Sequence, residues 1–422
     1  MATIEGTRRF LRRAVDQGLL HAANARVLGR TNLECAAIGF GGYRIGGGPQ
    51  QAKHKDAIHS ALRAGVNLLD TSTHYTAFGE APGGGHGTSE QLIGQAVQEA
   101  IAAGDVTREE LILCSKVGHV RRGDTPPEHS VSVHSQGVGD DWHSIDPVFL
   151  EAEVRGSLER LGTPPDFILL HNPEYFLTAQ MLQKVSIADA WDEMYERLAA
   201  AFTVLERLCD EGVISAGYGI SGNFLSCSFS TTGRPNLYEA LAVDRVTAAA
   251  TSVRGKDHRL RLIQIPLNAT EGGAVLGRGK VVPEASEGDC ALANSLGLAT
   301  ITNRPLMSIP LPGIAAGDWG RQGASHIYLR EKKPMGTVES LLKRALLESL
   351  SLEVPFQQAA LRLALSGPSV SCTLCGARST SYVEDISAVL REPPLATELV
   401  VRALEVTRSA LLEVGGEKRR YW

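Results

Sequence analysis

Residues 67–75 read NLLDTSTHY, an apolar run that stops on an ionisable residue, Asp70, and passes into a polar segment without helical spacing. The same event recurs at 111–116, LILCSK, which stops on Lys116, and at 166–171, DFILLH, which stops on His171. None of these runs alternates apolar with polar, so each reads as a strand buried on both faces, as parallel strands covered by helices are. Working outward adds LECAAIGF, SAGYGIS, RLIQIPL, ATITNRPL and SVSCTLCG, with carboxyl ends near 41, 220, 266, 304 and 376. Between the runs, Ile58, Ala61 and Leu62, then Leu92, Ile93, Ala96, Val97, Ala100 and Ile101, then Leu150, Val154, Leu158 and Leu161, then Leu198, Phe202, Leu205 and Leu208 recur at helical spacing. Eight strand-helix units predict an α/β fold, a closed (β/α)8 TIM barrel. The open doubly wound sheet is the alternative, but no G-x-G-x-x-G follows the first strand with an acidic residue about twenty positions on.

The long excursions lie at 76–88, 118–146, 172–190, 268–290 and 306–336, all after strands. In a barrel they gather at the carboxyl-end face, where ligands bind. The expected organisation is an N-terminal helical extension over 1–25 and a single barrel domain with C-terminal helices over 26–422. Within the first thirty residues Arg8, Arg9, Arg12, Arg13 and Arg26 fit an organelle presequence, whereas Glu5 and Asp16 fit an ordinary packing helix, the preferred reading. There is no continuous apolar h-region, so a secretory signal is not expected.

Of 422 residues, 43% are hydrophobic and 21% charged, which places the chain among ordinary globular proteins. A net charge of −5 disfavours nucleic acid as a partner, and no apolar run approaches a membrane span. Seven scattered cysteines read as reduced thiols, so the expected location is cytoplasmic. Cys372 and Cys375 form a C-x-x-C, but inside a strand-like run, which argues against redox work.

Three charges at three strand ends imply that they meet one another or a ligand, because burying each alone is too costly. Tyr75 follows Asp70 on the loop leaving the same strand. A phenol with a pKa near 10 is a poor acid at neutral pH, and a neighbouring ammonium, Lys116, would lower it. Asp70 would keep Lys116 charged and fixed, and His171 would donate a hydrogen bond to a substrate carbonyl. With no nucleophilic Ser or Cys beside a base, this set suits proton transfer coupled to hydride delivery, which requires a cofactor.

The segments DTSTHY, GTSEQLIGQAV, LILCSKVG, DFILLHNP, AGYGISGN, LIQIPLN and CGARS, in that order over roughly residues 26 to 391, resemble the aldo-keto reductase superfamily. The resemblance implies a (β/α)8 barrel binding a nicotinamide cofactor in an extended pose, and a catalytic tetrad of Asp70, Tyr75, Lys116 and His171. It also implies carboxamide contacts from Ser221 and Asn223, here with a glycine interposed, and from Gln264. The aromatic that often stacks on the nicotinamide is replaced by Leu267.

Gly376, Ala377, Arg378 and Ser379 precede a helix, a place that favours an anion. In the resembled family this region holds the adenosine phosphates, which makes Arg378 a candidate 2′-phosphate ligand. The Gln and Asn often found on that helix are replaced by Tyr382 and by Ile386 or Asp385. Arg304 matches a position near the pyrophosphate, and Gly41, Gly376, Ser379 and Glu384 complete the candidate cofactor set. NADP(H) is preferred and NAD(H) admitted; no metal is expected. The partner is a small carbonyl or sugar substrate.

The implied function is an NAD(P)H-dependent oxidoreductase interconverting a carbonyl and an alcohol. An NAD-dependent sugar dehydrogenase on the same fold, a cofactor-binding regulatory subunit and a Schiff-base lyase using Lys116 remain alternatives. His74 reads as a neighbour of Tyr75. His119, His129, His134 and His143 share one polar loop at spacings that match no compact zinc arrangement. The glycine-rich tract from Gly79 to Gly87 reads as a mouth loop, and Trp142 or Trp319 as a wall of the substrate pocket.

Overall fold

Parallel strands that are apolar on both faces leave no edge only if the sheet closes on itself. A computed structural model describes residues 1–77, 86–133, 141–222, 241–269, 271–277, 288–306 and 337–415, and in it the sheet closes. The strands are β1 (Ile38–Gly41), β2 (Leu68–Asp70), β3 (Ile112–Val117), β4 (Phe167–His171), β5 (Gly217–Ser221), β6 (Leu260–Pro266), β7 (Ala299–Asn303) and β8 (Cys372–Gly376). They pair in parallel in chain order, and β8 returns to β1 with Gly376 opposite Gly41.

One strand departs from its sequence reading. The run LECAAIGF does not form a single strand: Glu34–Ala36 pairs antiparallel with Ala25–Val27 in a separate ribbon, and only Ile38–Gly41 joins the barrel. The two strand pieces send alternate residues to different cores: Cys35 and Leu33 cap the interior cluster from below, while Ile38 and Phe40 face the helices.

The period of two sorts each strand. Leu68, Ile112, Cys114, Phe167, Leu169, Leu262, Ala299, Ile301, Cys372 and Leu374 fill the interior. Leu69, Leu113, Ile168, Leu170, Ile263 and Ile265 point outward into the helical layer, where Leu92, Ile93, Val154, Leu198 and Phe202 are buried. Cys372 and Cys375 therefore lie on opposite sides of β8, and both are free thiols. Their separation across the strand leaves no route to a shared disulfide.

The N-terminal helix Ile4–Asp16 docks against the amino-end face of the barrel. Its backbone is seated closely, since a Cβ on Gly6 would stand 2.4 Å from the carbonyl oxygen of Glu109. Its arginines are spent on ion pairs: Arg8 with Glu34 at 2.7 Å, Arg9 and Arg13 with the buried Glu110 at 3.3 and 2.9 Å. Among the described residues no helix is long and apolar enough to cross a membrane.

Candidate active site

The inward parity that fills the barrel with Leu, Ile and Phe ends, at the carboxyl face, on polar residues. Two positions beyond Leu68 is Asp70, beyond Cys114 is Lys116, beyond Leu169 is His171, beyond Leu262 is Gln264, and beyond Ile301 is Asn303. Register puts His171 opposite Ser221 and Ser221 opposite Gln264, while Asp70 is opposite Cys114 and Lys116 opposite Leu169, each two residues short of the next ionisable group along the sheet. The strand ends therefore carry the ionisable groups in a two-residue stagger from β2 to β4.

Lys116 is 0% and Asp70 2% exposed, so their charges must satisfy each other. Lys116 Nζ donates to Asp70 Oδ2 at 2.5 Å and to the Thr71 carbonyl at 2.9 Å, while Gln264 Nε2 donates to Asp70 Oδ1 at 2.9 Å. Burial alone would lower the Lys116 pKa; the Asp70 carboxylate overrides it and holds the ammonium above its ordinary value. The strand end is fixed in turn by Ser89, which accepts from Thr71 Oγ1 at 2.8 Å and donates to the Gly42 carbonyl at 2.9 Å. Only glycine fits at 42, because a Cβ would stand 2.7 Å from the Asp70 carbonyl oxygen.

Tyr75 Oη lies 3.4 Å from Lys116 Nζ, and the ammonium stands 4.7 Å from the phenol ring centre. Lys116 pulls the Tyr75 pKa down as expected, but the net shift is the other way: burial pushes the phenol above its ordinary value of 10, and Lys116 offsets that only in part because the Asp70 carboxylate beside it acts in the opposite sense. Tyr75 is thus a protonated phenol throughout the neutral range, a state that can give a proton.

Four histidines close in beside it. The His74 ring lies 4.0 Å from His119 and 4.9 Å from His171, and His119 is 4.9 Å from His171. His143 packs edge-on against His119 at 5.5 Å, and its Nε2 contacts the His171 carbonyl at 2.6 Å. Tyr43 and Tyr175 complete an aromatic rim, Tyr43 at 5.2 Å from Tyr75 and Tyr175 at 5.8 Å from His119. These two tyrosines, Ser72, and His119 as a mouth residue escaped the sequence reading, since nothing in their spacing marks them. Trp142 instead lies in the short ribbon Val131–Ser132 with Trp142–His143. Trp319, His134 and most of the Gly79 to Gly87 tract lie outside the described residues.

Burial, reinforced by neighbouring imidazoles, lowers His74 and His171 well below their ordinary value, and burial takes His119 to about 4 and His143 to about 3. All four are neutral in the fold. As pH falls below the unfolded value of 6.5, the unfolded chain takes up protons that the folded chain refuses, so stability drops between there and about pH 3–4. Each tenfold change in proton affinity corresponds to about 1.4 kcal/mol. Urea unfolding from pH 7 to pH 4.5 should therefore lose several kcal/mol of stability, with a shallower loss in His143→Gln. Identical slopes in the two proteins would sink this account.

The residues matched to a cofactor are only partly assembled. Ser221 Oγ donates to Gln264 Oε1 at 3.0 Å, and Asn303 Nδ2 donates to the same oxygen at 3.1 Å. Asn223 lies outside the described residues. Leu267 is fully buried in the helical core and offers no platform. Arg304, in the left-handed region at φ 57°, pairs with Glu271 at 3.3 Å. Arg378, Ser379 and Tyr382 line a cleft of about 360 Å³ together with Arg44 and Lys53. Among the described residues neither Lys53 nor Arg378 pairs with a carboxylate, so this basic cleft at the start of the helix Thr380–Arg391 suits a phosphate. On that helix Ile386 is buried in the core, Asp385 accepts from Gln358 at 3.0 Å, and Glu384 is exposed.

Residues 37–226 match the family model described as the Aldo/keto reductase family. The NADH-specific methylglyoxal reductase of Escherichia coli is 32% identical over 143 residues, which cover 32% of this chain and 37% of that protein. The chain thus spans little more than a third of that curated relative's length. Among solved structures, the glycerol dehydrogenase of Gluconobacter oxydans superposes with a TM-score of 0.57 at 18% identity, covering 93% of this chain and 96% of that one. An aldo-keto reductase from Klebsiella pneumoniae in complex with NADPH gives 0.53 at 17% identity, covering 91% and 95%. At such identities the shared property is the barrel.

Proposed function

The chain belongs to the aldo-keto reductase superfamily, and from that premise we propose that it is an NAD(P)H-dependent oxidoreductase interconverting a small carbonyl compound and its alcohol, with Tyr75 as general acid. The observation that carries the reading is the buried Lys116–Asp70 pair with Tyr75 Oη at 3.4 Å from the ammonium, at the ligand-binding end of the barrel.

The nicotinamide, when bound, supplies the hydride. Tyr75 gives its phenolic proton to the oxygen on which negative charge develops, and Lys116 stabilises the phenolate left behind. Asp70 keeps Lys116 charged and aimed. His171 holds the substrate oxygen by an Nε2–H donor when its ring carries the proton there, and its Nδ1 contacts the Ser72 hydroxyl at 3.2 Å. In the reverse direction the same groups take the proton from an alcohol, and cellular cofactor ratios set which direction prevails.

The basic cleft of Arg378, Lys53 and Arg44 supports NADP(H) as the preferred cofactor, with NAD(H) admitted. The NADPH complex and the NADH-specific relative support both. A contact to a charged phosphate is worth about 1.5–3 kcal/mol, so Arg378→Ala is expected to raise KM for NADPH about 10–100-fold while changing that for NADH little. An equal loss with both cofactors would remove Arg378 from the 2′-phosphate.

A mouth lined by imidazoles and phenols fits a small oxygenated substrate better than a long apolar one. The reading is tested by loss of reduced-cofactor absorbance with NADPH and NADH against simple aldehydes, diketones and sugars. Turnover in the wild type supports it; binding of both cofactors with no turnover on any carbonyl would favour a regulatory subunit instead.

A further inference from the structure

His74, His119 and His171 each offer a ring nitrogen, and these atoms all lie within 4.8 Å of one another. Two sit on loops from different strands and the third ends β4, so no sequence spacing announces the group.

Their hydrogen bonds orient them for metal binding. Ser72 Oγ contacts Nδ1 of both His74 and His171 at 3.2 Å, and also the Lys116 carbonyl at 3.2 Å. A hydroxyl has one proton, and a carbonyl can only accept. With that proton on the Lys116 carbonyl, both Nδ1 atoms are N–H donors to Ser72, and both Nε2 lone pairs are free. Asn172 acts likewise on the third ring. Its Nδ2 donates to Glu174 at 3.1 Å, which turns Oδ1 toward His119 Nε2 at 3.4 Å and leaves the His119 Nδ1 lone pair free. Such outer partners are what a metal-binding histidine set requires.

We propose that His74, His119 and His171 form a site for a divalent transition cation, Zn²⁺ being the biological one, with a fourth position open to the mouth. Bonds of about 2.0–2.1 Å place tetrahedral ligand atoms about 3.3 Å apart, closer than the 4.8 Å within which one nitrogen of each ring lies, so the rings have to close on the cation. The nearby Lys116 ammonium is paired with Asp70, and the part of its charge still felt at His74 and His171 weakens binding of the cation. The cation takes the His171 lone pair at the nitrogen that the proposed reduction needs as an N–H donor. On that reading of the reaction, metal and carbonyl substrate exclude each other.

The test is a titration of chelator-treated protein with Co²⁺, followed by its visible d–d absorption, and with Zn²⁺ by calorimetry. One equivalent of saturable binding is expected. His74→Gln and His119→Gln should each weaken it at least 10–100-fold, the loss seen even for supporting residues, while exposed His129→Gln should not. Absence of saturable binding in the wild type, or wild-type binding in the His74→Gln/His119→Gln double variant with an unchanged unfolding transition, would overturn the site. Turnover should fall with Zn²⁺ occupancy and return on chelation; full occupancy with unchanged turnover would overturn the exclusion. Binding is read without any carbonyl, so failure of the titration and failure of the reductase reading are separate results.

Discussion

Tyr75→Phe is expected to lower kcat for carbonyl reduction by about 10²–10⁴-fold, the range for removing a general acid, while cofactor affinity is retained. Phenylalanine keeps the ring that packs against Tyr43 at 5.2 Å and His74 at 5.0 Å, and the ammonium still stands over its face, so the fold loses one hydroxyl only. Comparing steady-state kcat with cofactor binding by fluorescence titration separates the two effects. Equal turnover in the variant would remove Tyr75 from the acid role. Because burial raises the phenol pKa above its ordinary value of 10, the wild-type reduction rate should be level through neutral pH and lose the Tyr75 proton only above pH 10.

Lys116→Met should be the most damaging single change to both stability and turnover. It leaves Asp70 buried with only the neutral Gln264 and Cys114 side chains as partners, and breaking a buried pair in this way costs about 3–5 kcal/mol. Turnover should fall because nothing then stabilises the Tyr75 phenolate. The double variant Asp70→Asn/Lys116→Met distinguishes the two roles, since removing both charges should restore much of the stability and none of the activity. Urea unfolding and turnover assays on the three proteins check this. A Lys116→Met protein as stable as the wild type would contradict the pairing, and one as active would contradict the chemistry.

The barrel was legible because its signal is local and repeated: eight apolar runs of strand length, with helical spacing in four of the stretches between them. Asp70, Lys116 and His171 were legible for the same reason, each being an ionisable residue at the end of an apolar run. The split of LECAAIGF was not, because Ala36 and Ala37 suit either core and only the ribbon partner Ala25–Val27 decides where the first strand begins. Nor was the direction of the Tyr75 shift, which depends on burial competing with an ammonium already engaged by Asp70.

The sequence by itself determined the fold class, the strand ends and the residue types that carry proton transfer, since periodicity and the cost of burying a lone charge act within a few residues of chain. Tertiary structure alone decided which loop residues share the mouth. His74, His119 and His143 meet His171 through the register of β2, β3 and β4 and the path of long excursions, and Arg44, Lys53 and Arg378 meet through closure of β8 onto β1. Such juxtapositions depend on contacts between distant segments, for which a linear pattern carries no signal.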